Sequence, residues 1–230
     1  MIIGSGLLAQ AFTPTYSHRE DVCIYAAGVS NSACASTQEF DREQQRLTSA
    51  LQNAQHVDSF LYFGTCSASD PEAQNTAYVQ HKIAMERLVS NHPQHLILRL
   101  PQVAGTTPNP HTLLNYLYAK ITRSESFNLW KNATRNILDI ADIASITNQL
   151  IDQRVTKNTT LNIANPTSYT IQEIVNTMER VVGKRGVYDV VERGSEYSID
   201  ISPTIALFNR LSLNFDESYL ERVIKKYYGK

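Results

Sequence analysis

Tyr78 and Lys82 stand four residues apart in "NTAYVQHKIAMERLV", residues 75–89. Read as an amphipathic helix, this stretch puts both side chains on one face, with Cβ atoms about 5–6 Å apart. An ammonium at that range favours phenolate and draws a tyrosine below its ordinary pKa of about 10. Such a tyrosine both donates and accepts protons near neutral pH. Spacing alone does not select it, because the chain holds 12 tyrosines and Tyr116 and Lys120 repeat the pattern in "YLYAK". Context separates the two pairs. Tyr78 follows "SFLYFGTCSAS", an apolar run that ends in the hydroxyls of Thr65 and Ser67, whereas no hydroxyl-rich strand end precedes Tyr116.

The elements that must position Tyr78 are legible from apolar periodicity. "MIIGSGLLAQAF" is an apolar strand running into Gly4, Gly6 and Ala9, a GxGxxA turn into a helix, where small residues let backbone amides approach a pyrophosphate. "DVCIYAAGVSNS" reads as a second strand, "SFLYFGTCSAS" as a third and "HLILRLPQVAG" as a fourth. Between the second and third, "STQEFDREQQRLTSALQNAQ" reads as a helix with a capping box from Ser36 to Glu39 and an apolar stripe at Phe40, Leu47, Leu51 and Ala54. Alternating strands and helices predict an α/β fold, a doubly wound parallel sheet. Ligands of such sheets lie at the carboxyl ends of the strands, where Gly6, Gly28, Thr65 and Gln102 fall.

Beyond residue 105 the rhythm loosens. A helix is expected over about Leu113 to Ile121, a strand at "FNLWK", a helix over about Asp142 to Asp152 and a strand at "TLNIA". A capping box from Thr170 to Glu173 opens the helix "IQEIVNTMERVVG", closed by Gly183. "GVYDVVE" and "YSIDIS" read as strands ahead of two closing helices. Residues 1–105, with segments returning from 127–165, are thus expected to form a dinucleotide-binding domain, and 106–230 mainly a small C-terminal α/β substrate lobe.

Composition narrows the partners. A net charge of -1 offers no long-range pull toward nucleic acid or an anionic membrane. No apolar run is long enough to span a bilayer, and the cytoplasm is the expected location. Cys23, Cys34 and Cys66 are too few and too irregular for a disulfide framework or a zinc site, so free thiols and no metal are expected.

In order and spacing these motifs resemble the extended short-chain dehydrogenases/reductases, the branch of NAD-dependent nucleotide-sugar epimerases, dehydratases and 4-ketoreductases. "FLYFGTCSASD" is similar to the family strand that ends in Ser or Thr, and "AYVQHKIAMERLV" to its YxxxK helix. "LRLPQVAG", "TRNILDIADIA", "LNIANPTSYTIQEIV" and "YLERVIKKYY" match later family segments. The resemblance implies a Rossmann-type sheet with Tyr78 as acid/base, and Lys82 lowering its pKa while binding the nicotinamide ribose. Thr65 would hydrogen-bond the reacting oxygen, with Ser67 as the fallback. Gly4, Gly6, Leu7, Ala26, Ala27, Gly28 and Pro101 would line the cofactor. Gln102 would lie near the substrate and Arg135 would clamp a nucleotide diphosphate. A homodimer paired through the two helices at 36–55 and 76–90 is also implied.

Departures from the family narrow the expectation. Only about twenty residues separate Gly6 from Ala26, so about two strands on the adenosine side are missing, and with them the acidic residue that would hold the adenosine ribose. Glu20 and Asp21 stand at about the right count but lead into a strand rather than end one. His18 and Arg19 could meet a 2′-phosphate, tilting the choice between NADPH and NADH toward NADPH. The Asp-Glu pair of 4,6-dehydratases is replaced by Cys66 and Ser67, which disfavours dehydration. Cys66 is one place off the cysteine of the dual epimerase-reductases, and His111 is not clearly in register with their histidine. The expected activity is reduction of a nucleotide-activated 4-keto-6-deoxy sugar in surface-polysaccharide synthesis. Epimerisation is the alternative, and a non-catalytic dinucleotide-binding regulator is the alternative of another class.

Overall fold

The computed structural model describes residues 1–153 and 158–229. Strand β1 (Ile2–Ile3) leads to helix α1 (Leu7–Tyr16), β2 (Val22–Tyr25), α2 (Thr37–Asn53) and β3 (Ser59–Thr65). A short 3-10 turn at Cys66–Ser69 precedes α3 (Ala77–Val89), β4 (His95–Leu100), β5 (Gln102–Ala104) and α4 (Leu113–Arg123). There follow β6 (Ser126–Trp130), β7 (Thr134–Arg135), β8 (Ile137–Asp139), α5 (Ile140–Asp152) and β9 (Thr159–Asn162). The chain closes with β10 (Tyr169–Thr170), α6 (Ile171–Val182), β11 (Val187–Val191), α7 (Ile205–Arg210) and α8 (Tyr219–Tyr228). Among the described residues no helix is long and apolar enough to cross a membrane.

The main sheet has five strands in the order β1-β2-β3-β4-β9, all parallel. The expected shortening is present, since β1 is an edge with β2 directly beside it. Because side chains alternate across a strand, the central strands feed two cores. Cys23, Tyr25, Phe60, Tyr62 and Ile97 pack with Leu47, Met85 and Val89 beneath α2 and α3. Val22, Ile24, Leu61, Phe63, Leu96 and Leu98 pack on the other face with Phe12 of α1, Ile143 and Ile146 of α5, and side chains from the C-terminal half. Strands sandwiched this way are apolar on both faces, which is why β2 and β3 read as unbroken apolar runs.

Three expectations are corrected. The run "HLILRLPQVAG" is two strands, not one. Pro101 has no N–H to give a ladder, so β4 stays in the main sheet while β5 pairs with β8. "YSIDIS" forms no strand, because side chains take its hydrogen bonds: Asn162 Nδ2 donates to the Asp200 carbonyl, and Ser202 N and Oγ both turn back to Asp200 Oδ1. The box at Ser36 is only half made. Ser36 Oγ accepts from Glu39 N at 3.3 Å, but the Glu39 carboxylate bonds Arg42 instead. The box at Thr170 is complete in both directions, and Gly183 ends that helix at φ 72°.

Candidate active site

Strands β1, β2, β3 and β4 of the main sheet point their carboxyl ends toward one cleft of about 760 Å³, within the range of small-molecule sites. Its floor is the turn after β1 and the loop after β2. Gly4 adopts φ 132°, and a Cβ there would lie 2.5 Å from the Ala26 carbonyl oxygen, so the close approach of these two loops requires glycine. Gly6 is the N-cap of α1 with no side-chain cap, and a Cβ on it would meet nothing within 4 Å, so the first amides of α1 open onto the cleft. Leu7, Ala26, Ala27, Gly28 and Pro101 also line it. This cradle fits a dinucleotide, whose pyrophosphate suits a bare helix N-terminus.

Tyr78 and Thr65 meet where β3 ends. The strand delivers Thr65 to the cleft edge, and its Oγ accepts from Ser67 N to cap the 3-10 turn. Thr76 caps α3 through Val79 N, starting the helix so that Tyr78 occupies its first turn, buried against Thr65. Burial first, and the charge of Glu43 second, push the Tyr78 phenol up to about 12, while the hydrogen bond with Thr65 pulls the other way. The expected lowering of Tyr78 by Lys82 is therefore overturned. Lys82 does share the helix face, but its Nζ turns to Glu43 Oε1 at 3.5 Å and lies 4.5 Å from the centroid of the Tyr62 ring. Burial draws Lys82 downward, and the carboxylates of Glu43 and Glu86 oppose that.

Glu43 was absent from the sequence reading. It sits in the inward stripe of α2 between Phe40 and Leu47, with a side chain 1% exposed. Tyr62 donates to Oε1 at 2.9 Å, while the Val29 amide at 2.7 Å and His81 Nε2 at 2.9 Å reach Oε2. Burial alone would raise this carboxyl, but His81, the Lys82 charge, the Val29 amide and Tyr62 outweigh it and hold it down to about 2. A charge at a core register position was the signal that could have found it.

Gln102 and Arg135 both line the cleft, as does Ser67. Gln102 takes its place because β5 branches off at Pro101. Arg135 is anchored through Nη1 to the Thr134 carbonyl at 2.7 Å, on β7, which pairs with β10. Tyr197, from the segment misread as a strand, also lines the cleft. Asn109 Nδ2 donates to Ser30 Oγ at 3.2 Å across the mouth. Arg46 of α2 also lines the cleft and was likewise missed.

Cys66 is buried, with its thiol pushed up to about 12 by burial and its Sγ on the Arg99 carbonyl. It is a packed thiol rather than a reactive one. His18 and Arg19 fall outside the cleft. They precede β2, at the far end from the ligand edge, and Arg19 is bound to Asp21 at 2.6 Å and Asp152 at 3.3 Å. Among the described residues lining the cleft there is no aspartate or glutamate, whereas Arg46, Lys82 and Arg135 are all present.

Solved structures share this fold. A UDP-glucuronic acid 4-epimerase from Bacillus cereus, in complex with NAD and UDP-4-deoxy-4-fluoro-glucuronic acid, has a TM-score of 0.74 at 16% identity, over 89% of this chain and 73% of its own. A UDP-N-acetylglucosamine 4-epimerase from Bacillus cereus reaches 0.73 at 16% identity, over 98% of this chain and 93% of its own. RMD from Pseudomonas aeruginosa, complexed with NADPH, reaches 0.72 at 15% identity, over 98% and 97%. No curated protein matches the chain. The model of the NAD dependent epimerase/dehydratase family matches residues 17–164, more than half of the sequence, and the chain belongs to that family.

Proposed function

We propose that the protein reduces a nucleotide-activated 4-keto-6-deoxy sugar with NADPH or NADH, in the cytoplasm and toward surface-polysaccharide synthesis. The observation that carries this reading is the cleft lining, which among the described residues holds Arg46, Arg135 and the Glu43-paired Lys82 and no carboxylate. Such a lining suits two multiply anionic ligands, a dinucleotide and a sugar nucleotide, and it offers no carboxylate pair for eliminating water. A bound nicotinamide would supply the hydride. The glycine cradle would hold its pyrophosphate, with Arg46 as a further phosphate contact, and Arg135 would bind the sugar-nucleotide diphosphate. Thr65 would orient the keto oxygen and Tyr78 would donate the proton to it. A phenol held up at about 12 is protonated at neutral pH, which is the form that reduction of a carbonyl needs.

In this reading residues 1–105 hold the dinucleotide, strengthened by segments returning from 127–165, and 106–230 mainly cover the substrate. Two copies would pair through α2 and α3. A second reading, sugar-nucleotide 4-epimerisation, uses the same Tyr78 and Thr65 and is favoured by the two 4-epimerase structures of like fold.

The test is a calorimetric titration with NADPH and with NADH, followed by turnover of 4-keto and parent sugar nucleotides. Micromolar binding with net nicotinamide oxidation supports the reductase. Binding with interconversion of C4 epimers and no net oxidation supports the epimerase. No binding of either dinucleotide, with or without a sugar nucleotide, sinks both and leaves a non-catalytic role.

A further inference from the structure

Glu43 joins four parts of the site from behind its wall: β3 through Tyr62, α3 through His81 and Lys82, the loop after β2 through the Val29 amide, and β2 through the Tyr25 hydroxyl, which donates to the Glu43 carbonyl at 3.2 Å. We propose that Glu43 is the positioning residue for Lys82, supplying the buried counter-charge that keeps its ammonium at the back of the cleft and tying that ammonium to the dinucleotide loop. The inference rests on the reading of Tyr78 and Lys82 as the working pair.

Two observations argue for a role beyond packing. First, every acceptor direction of the carboxylate is used, since each oxygen receives two partners. A buried carboxylate satisfied so fully is oriented, not merely tolerated. A buried ion pair adds little net stability over apolar side chains of similar volume, so what the pair adds here is a cation presented to the cleft. Second, the pair dictates the floor above it. A Cβ on Gly28 would come within 2.8 Å of Lys82 Nζ and 2.9 Å of Glu43 Oε1.

The groups facing the pair are Tyr25 and Arg46 on one flank, Tyr62 beneath, and Tyr78, His81 and Glu86 along α3. Glu86 is itself committed to Arg99 of β4 at 2.7 Å. Among the described residues Glu43 is the carboxylate within ion-pair distance of Lys82. Without it, burial would draw the lysine further toward its neutral form, opposed only by the more distant Glu86, and the amine would attract hydroxyls and phosphates less.

The experiment reads Lys82 directly, with no dinucleotide or substrate needed. Competitive trace acetylation of the full-length protein across pH, quantified peptide by peptide, gives the apparent pKa of each lysine. Glu43→Gln should lower that of Lys82 by about one unit or more, seen as about tenfold greater reactivity below the pKa. Lys120 serves as the unchanged reference, and Glu43→Asp should shift Lys82 less. Unchanged Lys82 reactivity in a Glu43→Gln protein with a cooperative melt overturns the proposal. Should that variant fail to fold, Glu43→Asp decides it: a shift of about threefold supports the role and none refutes it. Titration of the same proteins with NADPH and NADH separates this test from the functional reading. Wild-type binding that weakens about tenfold in Glu43→Gln supports positioning, and unchanged affinity overturns it. Absence of wild-type binding with the Lys82 shift intact overturns the functional reading, and with it the positioning role, while leaving the ion pair.

Discussion

Helices α3 and α4 carry the same tyrosine-to-lysine spacing and reach opposite ends. On α3, Tyr78 is 9% exposed and Lys82 is buried against a carboxylate held by three other donors. On α4, Tyr116 is 41% exposed, and Lys120 reaches Glu125 at 3.0 Å on the surface and lies 5.8 Å from the Tyr116 ring. Both helices place the pair on a common face, so helical geometry is not what separates them. The difference is what stands opposite. The α3 face meets β3, whose end supplies Thr65 and whose interior supplies Tyr62, whereas Tyr116 of α4 meets the edge of the apolar Phe127 ring and otherwise solvent. A pattern becomes a site only where neighbouring elements remove water from it and answer its charges.

Mutations that exchange the environments of the two pairs should expose this difference, most strongly at the tyrosines. Tyr78→Phe should lower turnover by about 10²- to 10⁴-fold with dinucleotide affinity near wild type, while Tyr116→Phe stays within about twofold. Equal losses in steady-state assays would erase the distinction. The carboxylates come next. Glu43→Leu leaves Lys82 uncompensated in the core and should cost about 3–5 kcal/mol in denaturant unfolding, against about 0–1 kcal/mol for Glu125→Ala at the surface.

Acid should act on the buried carboxylate. Glu43 is held down to about 2 in the folded chain from an ordinary 4.5. Its contribution to stability is therefore fully present above about 4.5 and is lost as pH falls toward 2. Glu43→Gln should flatten this limb of a stability profile. The smallest contrast lies in the glycines of the floor. Gly4→Ala should destabilise by about 1–3 kcal/mol because of its positive φ and the Ala26 carbonyl. Gly6→Ala, facing open space, should leave the melting temperature nearly unchanged and be felt in dinucleotide affinity.

Much of the fold was legible because it rests on local patterns. β2 and β3 are apolar on both sides since helices cover both, and α6 begins and ends where a complete capping box and a left-handed glycine place it. The misreadings have local causes too. Pro101 was absorbed into an apolar run although it cannot donate to the ladder. "YSIDIS" alternates like a strand, but side-chain acceptors and donors around Asp200 and Asn162 take up its backbone.

By itself the sequence determined the sheet's shortened edge, through the count of residues between Gly6 and Ala26. It also set Thr65 at a strand end and Tyr78 and Lys82 on one face of the helix that follows, because periodicity and capping act within a dozen residues. Only the tertiary structure decided how those groups are charged. Whether Lys82 lowers the phenol of Tyr78 or answers a carboxylate depends on Glu43, which is 39 residues away in sequence and 3.5 Å away in space. Electrostatic energy follows distance and burial, and the order of residues along the chain encodes neither.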